Sequence, residues 1–200
     1  MPENPLNLVS LAEAKAYLNI SVTTFDTQIQ AMIDGASALI EDFCQNAMVE
    51  REFTEHYTGG INLHKGGAKR IYLKHFPVAE VASITDDSGY VMPADQYVIW
   101  PEKGILEHFG YWYVPQTTTG APGRWTVVYT AGRYADTASV IPSLKLACNM
   151  LLATRWMARS PGIQSQRIGD LSIAWDRNLE SEGLPAEVRS MLGPYVAISV

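Results

Sequence analysis

Four histidines, two cysteines and a few acidic pairs are the residues of this chain that could do chemistry. His56, His64, His75 and His108 are scattered through the middle of the sequence. None stands in an HExxH arrangement or a Cys/His cluster, the spacings that bring ligands together around a metal. They are expected to be surface or turn histidines, and only convergence of His64 or His75 with acids in a pocket would suggest an enzyme. Cys44 and Cys148 have no base beside them in sequence and fall on apolar helical stripes. They read as inert, buried thiols rather than as a disulfide or a nucleophile. Glu41-Asp42 and Asp86-Asp87 fit a solvated helix face and a turn better than a general acid/base pair. There is no GxSxG elbow, and Gly59-Gly60 and Gly66-Gly67 lack the strand-to-helix setting of a phosphate loop, so they read as turns. No catalytic set, metal or cofactor is expected, and the chain is read as non-enzymatic.

The elements that position these residues follow from composition and periodicity. The chain has 200 residues, 47% hydrophobic and 18% charged, a globular balance with enough apolar side chains for a core. No stretch reaches the roughly 20 apolar residues of a membrane span, and Met1 to Leu8 has no signal-peptide pattern. The net charge of −6 is unevenly placed. Residues 1–50 hold seven acids (Glu3, Glu13, Asp26, Asp34, Glu41, Asp42, Glu50) against Lys15, while the remainder balances. A nucleic-acid binder needs a clustered basic face to displace phosphate counterions, so specific DNA binding is not expected. A solvated acidic helix face is the simplest reading of the imbalance.

Ser10-Leu11-Ala12-Glu13 is a capping box and predicts a helix over Leu11–Leu18. Thr23 or Thr24 is expected to cap a second helix, with Asp26 in its first turn. Phe25, Ile29, Met32, Ile33, Ala36, Ile40, Phe43 and Cys44 form its stripe at steps of three and four. Gly35 within it is either tolerated or marks a close helix–helix approach. From Val49 the pattern alternates as in strands: Val49–Tyr57, Arg70–Leu73, Val78–Thr85, Tyr90–Met92, Tyr97–Trp100, Ile105–Phe109 and Arg124–Tyr129. Asp86-Asp87-Ser88-Gly89 is a hairpin turn, and Pro101-Glu102-Lys103-Gly104 joins another pair. Trp100, Tyr111, Trp112 and Tyr113 lack basic interleaving, so core or subunit-contact aromatics are favoured over base stacking. Helical pattern resumes at Pro142, with Leu144, Ala147, Cys148, Leu151, Leu152 and Trp156 as the stripe, and Ser160-Pro161-Gly162 ends it. Ile168–Trp175 alternates as an extended segment or lone strand, and a short helix follows from Pro185 to about Leu192. The expected class is α+β: a helical core of three to four helices, an inserted antiparallel β domain and an extended C-terminal arm. The expected segments are 1–48 (N-terminal helices), 49–130 (β insertion), 131–166 (long helix) and 167–200 (arm, short helix and tail).

Several segments resemble the phage head–tail connector (adaptor) family. Ser10-Leu11-Ala12-Glu13-Ala14-Lys15-Ala16-Tyr17-Leu18-Asn19-Ile20 is similar to its opening helix. Phe25-Asp26 and Ile40-Glu41-Asp42-Phe43 are similar to the ends of its second. Val127-Val128-Tyr129-Thr130-Ala131-Gly132, followed by Ile141-Pro142 and Leu146-Ala147, resembles its strand–loop–helix junction. Ile168-Gly169-Asp170-Leu171-Ser172-Ile173 and Leu184-Pro185 through Met191-Leu192-Gly193-Pro194-Tyr195 resemble its closing segments. The resemblance implies a homo-oligomeric ring with the portal's twelvefold symmetry, docked to a portal protein on one side. It also implies a stopper or tail-terminator protein on the other side and passage of DNA through the lumen without specific binding. It implies a virion head–tail location, with assembly in the host cytoplasm and no membrane contact.

Three sets of residues are expected to serve assembly. Leu171, Ile173 and Trp175 alternate and could offer an apolar strip to a neighbouring subunit. Tyr195, Val196, Ile198 and Val200 make an apolar tail, which either docks to the portal or another partner or packs on its own chain. Asp34, Glu41 and Asp42 would face the lumen and repel DNA if the second helix lines it. The other reading is a carbohydrate- or peptide-binding module using the aromatic-rich β domain, which Trp100, Trp112 and Trp125 exposed together would favour.

Overall fold

Ser10 begins the first helix as its sequence predicts. Its hydroxyl accepts from the Glu13 backbone N–H at 3.2 Å, and the Glu13 carboxylate accepts from the Ser10 N–H at 2.8 Å. The fold is described by a computed structural model, over residues 4–58, 68–112, 123–158, 165–168, 171–174 and 184–196. It divides into two units, Met1–Gln45 with Asp136–Val200, and Asn46–Ala135.

The first unit is helical. Its elements are α1 (Leu11–Tyr17), α2 (Asp26–Cys44), α3 (Pro142–Ala158) and α4 (Ala186–Leu192), with a strand pair β7 (Ser165–Ile168) and β8 (Leu171–Ala174). The stripe of α2 is buried where predicted: Ile29, Ile33, Ala36, Ile40 and Cys44 are all 0% exposed. Leu144, Ala147, Cys148 and Leu151 bury the matching stripe of α3. Each fully buried Leu or Ile contributes about 1.5–3 kcal/mol relative to exposure. The N-terminal segment is tied over α2, with the Leu8 N–H donating to Ser37 Oγ at 3.1 Å and the Thr137 hydroxyl donating to the Asn7 carbonyl at 2.7 Å.

Two details of this unit differ from expectation. The N-cap of α2 is Phe25, without a side-chain cap bond, rather than Thr23 or Thr24. The Phe25 ring meets Trp156 of α3 edge-on at 5.5 Å, and the Asp26 N–H donates to the Thr23 carbonyl at 3.0 Å, so a ring contact and a backbone turn stand where a side-chain cap was expected. The segment read as a lone strand is half of an antiparallel pair, Ser165 opposite Ala174 and Ile168 opposite Leu171. At Gly35 an added Cβ would lie 3.5 Å from Arg155 Nη1, an ordinary contact, so the glycine is not required by a tight helix crossing.

The second unit is a β-sandwich of two three-stranded antiparallel sheets. One has the order β1 (Arg51–Thr58), β6 (Arg124–Ala131), β3 (Val78–Asp86); the other β2 (Ala68–Tyr72), β5 (Ile105–Trp112), β4 (Tyr97–Trp100). The inner faces share one core of Ile71, Ile84, Leu106, Trp112, Trp125 and Tyr129 with their neighbours. Trp112 and Trp125 meet edge-to-face at 5.4 Å and link the two sheets. Asn46, buried at one end, pairs with the Phe76 backbone, accepting its N–H at 3.1 Å and donating to its carbonyl. The turn at Asp86 forms as predicted: its carboxylate accepts the N–H groups of Ser88 (2.8 Å) and Tyr90 (3.0 Å). The return stretch Tyr90–Met92, expected to be a strand, makes only an isolated bridge, Thr85 to Val91, before a 3-10 turn at Ala94–Gln96 redirects the chain. No described helix is long and apolar enough to cross a membrane.

Candidate assembly surfaces

The residues that sequence singled out as potential chemistry are spread apart. His56 Nδ1 lies 3.0 Å from Thr126 Oγ1 on an outer strand face. His75 stacks on Phe53, ring centres 4.0 Å apart, and its backbone N–H reaches Tyr129 Oη at 3.3 Å. His108 sits beside Trp112 at 5.2 Å, and burial lowers its pKa. His64 lies outside the described residues. Among the described residues no three His, Cys, Asp or Glu side chains converge on a metal-sized site. Cys44 and Cys148 are both free and buried. Burial pushes the Cys148 thiol up to about 12, which removes the thiolate that nucleophilic chemistry needs. Burial also raises the Tyr57 and Tyr129 phenols above their ordinary range, and the Glu55 carboxylate beside them acts in the same direction.

The acidic residues of α2 fall into different settings. Asp34 is half-buried, and its Oδ1 accepts from Asn7 Nδ2 at 2.8 Å and from Gln30 Nε2 at 3.0 Å. Glu41, two turns on, is half-buried, and Asp42 is exposed. Lys15 takes Asp26 at 2.5 Å and Lys145 takes Glu13 at 2.7 Å, tying α1 to the start of α2 and to α3.

Of the tail, Tyr195 is half-buried with its hydroxyl 3.5 Å from Ser143 Oγ, and Val196 is exposed. Ile198 and Val200 lie outside the described residues. The Tyr195 contact sits one residue from Pro142, which with Glu13, Ile141, Lys145, Leu146 and Asn149 lines an open groove of roughly 630 Å³. Of the arm, Leu171 and Ile173 lie on β8, and Trp175 lies outside the described residues.

A surface that sequence reading marked only through Trp100 and Tyr111 lies on the outside of the β2–β5–β4 sheet. Tyr72, Ile105 and Trp100 stand in one cross-strand row, and Arg70, Glu107 and Val98 in the next. Phe109 and Tyr111 continue the same face along β5. Phe109 is 67% exposed, Tyr72 56%, Tyr111 51% and Trp100 48%. Arg70 pairs with Glu107 at 3.1 Å within this face, and Lys69 Nζ stands 5.7 Å from the Tyr111 ring centre. The signal was present in Tyr97-Val98-Ile99-Trp100, an unbroken apolar run of the kind found in strands covered on both faces. The opposite sheet follows ordinary alternation, with Glu52, Thr54, His56 and Thr58 exposed on β1. Trp112 and Trp125 are 0% exposed, so the three tryptophans that would have marked a binding module are not exposed together.

Chains of solved gene transfer agent particles are similar to this one in fold. The chain is similar to one from the neck of an empty gene transfer agent (GTA) particle computed with C6 symmetry, at TM-score 0.67 and 20% identity, covering 100% of this chain and 97% of that one. It is similar to a chain of the virion of a native GTA particle at TM-score 0.66 and 20% identity, covering 98% and 96%. A chain from the neck of a native GTA particle computed with C12 symmetry matches at TM-score 0.62 and 19% identity, covering 100% and 97%. No curated protein sequence matches the chain. The family model described as head completion protein matches residues 7–198, nearly the whole chain, so this chain belongs to the head completion protein family.

Proposed function

We propose that this chain is a structural, non-enzymatic subunit of the head–tail joint of a tailed phage or gene transfer particle. It forms a ring that docks to the portal protein and joins it to the stopper or tail, with a lumen that conducts DNA. The observation that carries the reading is the match of fold along the full chain to chains of GTA necks computed with C6 and C12 symmetry. Family membership over residues 7–198 supports the same role. In this reading the apolar tail (Tyr195, Val196, Ile198, Val200) meets the portal. Asp34, Glu41 and Asp42 face the lumen, where like charge keeps DNA from adhering. The arm carrying Leu171, Ile173 and Trp175 reaches a neighbouring subunit, because a head-to-tail contact repeated by a closing rotation makes a ring.

The test is a particle preparation lacking this chain, viewed by electron microscopy. Filled or leaking heads without tails, rescued by the intact gene, are expected. Tailed, infectious or transfer-competent particles in its absence would overturn the reading. Deletion of 167–176 should leave the subunit folded and reduce ring assembly, and an unchanged oligomer mass by light scattering counts against the role of the arm.

A further inference from the structure

The two outer faces of the β-sandwich are built on opposite rules. Across β1–β6–β3 the outward residues are mainly hydroxylic or charged, among them Thr54, His56, Thr58, Thr126 and Thr130. Across β2–β5–β4 they are Tyr72, Val98, Trp100, Phe109 and Tyr111 around one ion pair. Large aromatics with an arginine, left open to water on one sheet face, have the composition of the core of a protein interface.

The chain also holds an element with the converse deficiency. Among the described residues β7 and β8 pair only with each other. A lone two-stranded hairpin is marginally stable in water and gains stability by lying on another surface. The charges match as well. Residues 165–183 carry Asp170, Asp176, Glu180 and Glu182 against Arg167 and Arg177. The aromatic sheet and the turns that flank its strands carry Lys69, Arg70, Lys74 and Lys103 against Asp95, Glu102 and Glu107.

We infer that the aromatic face of β2–β5–β4 is the receptor for the C-terminal arm, β7–β8 with the residues that follow, of an adjacent copy of this chain. This rests on the ring reading above and names the surface on which the arm lands. The contact is heterologous: the face of one copy meets the arm of the next, and its own arm is passed onward, so every copy in a closed ring has both halves filled. Phe109 and Trp100 are the anchors, as the large apolar groups that lose most water on contact.

The test uses paired cysteines, Val98→Cys on the exposed face with Ile173→Cys on the arm, in the full chain assembled in particles or purified necks. The native thiols are buried and do not compete. Mild oxidation should give a ladder of linked copies on a non-reducing gel, absent from either single variant. Assembled rings of full mass without a ladder overturn the inference and leave the ring reading standing. A cross-link confined to single copies also overturns it, since the arm then lies on its own chain. Absence of any oligomer by light scattering and microscopy defeats both readings together. As a second measurement, Trp100→Ala with Phe109→Ala should weaken assembly at least about tenfold, with the circular dichroism spectrum and melting of the subunit kept. Undiminished assembly of that variant counts against the face as receptor.

Discussion

Asn7 Nδ2 donates to Asp34 Oδ1 at 2.8 Å, joining residues 27 positions apart and fastening the N-terminal segment to the middle of α2. The same oxygen accepts from Gln30. Asp34 is therefore a structural acid as well as a candidate for the lumen, whereas Asp42 is exposed. Asp34→Ala should cost about 1.5–3 kcal/mol in urea denaturation, as expected for hydrogen bonds to a charged group. Asp42→Asn should stay within about 0.5 kcal/mol of the parent. If Asp42→Asn has no effect on stability but slows DNA release from particles, the charge acts in the channel.

Trp125 is 0% exposed and meets Trp112 between the two sheets. Trp125→Ala should lower unfolding free energy by about 3–5 kcal/mol, the range for an aromatic removed from a packed core. Trp100→Ala, on the outer face, should change it by less than about 1 kcal/mol in the isolated subunit. The pair of measurements separates the core tryptophan from the surface one.

Gly132 has φ +155°, and a Cβ built there would lie 2.5 Å from Glu50 Cα and 2.7 Å from the Val49 carbonyl carbon. These are backbone atoms that no rotamer change can move aside. Gly132→Ala should therefore destabilise the chain by about 1–3 kcal/mol in thermal or chemical unfolding. Gly89, with nothing within 4 Å of its Cβ position, should give a smaller loss on the same substitution, arising from its positive φ alone.

Glu13 has its carboxyl held below the ordinary value of 4.5. Burial acts in the opposite direction, but the hydrogen bonds from Lys145 and from the Ser10 backbone and hydroxyl outweigh it. A carboxyl lowered on folding stabilises the native state above its unfolded value and loses that contribution as pH falls through the folded one. Glu13→Gln should be less stable than the parent at pH 7, and the gap should close as pH drops below 4.5. Urea titrations of both proteins at several pH values measure it.

Cys44 and Cys148 are buried, and Cys148 has its thiol pushed up to about 12. A thiol reagent at pH 8 should label neither in the native subunit and both in denaturant. Rapid labelling of the folded chain would contradict the packing of α2 on α3.

Local chemistry was legible in the sequence wherever partners are close along the chain. The Ser10–Glu13 box, the Asp86 turn and the stripes of α2 and α3 were read correctly because their determinants lie within a few residues. The cap of α2 was misread because a backbone turn at Thr23 and the ring contact of Phe25 with Trp156 stand in place of a side-chain cap, and no local pattern carries that ring contact. The polar strand Ser165–Ile168 shows no apolar alternation, so its pairing with Leu171–Ala174 stayed hidden. For the aromatic sheet face, Trp100 and Tyr111 were read as core or subunit-contact aromatics without a choice between the two, because Tyr97–Trp100 is apolar at every position and period-two reading cannot tell which face is out. Asp34 was read as a solvated acid because Asn7, which captures it, is too far away in sequence to be linked to it.

The β unit closes its own base. The Glu50 N–H donates to the Tyr134 carbonyl at 2.8 Å, while the Arg133 and Tyr134 N–H groups reach the Met48 carbonyl at 3.0 Å and 2.9 Å. Chain leaving at 48–50 is thus stapled to chain returning at 133–134. To the helical unit the whole of Asn46–Ala135 is then a connection whose two ends are already side by side. The entropy of closing so long a loop is borne by the folding of the insert itself and is not charged to the helices. A segment anchored in this way behaves as a cassette: its length and outer decoration can change between relatives while the host bundle meets the same pair of adjoining ends.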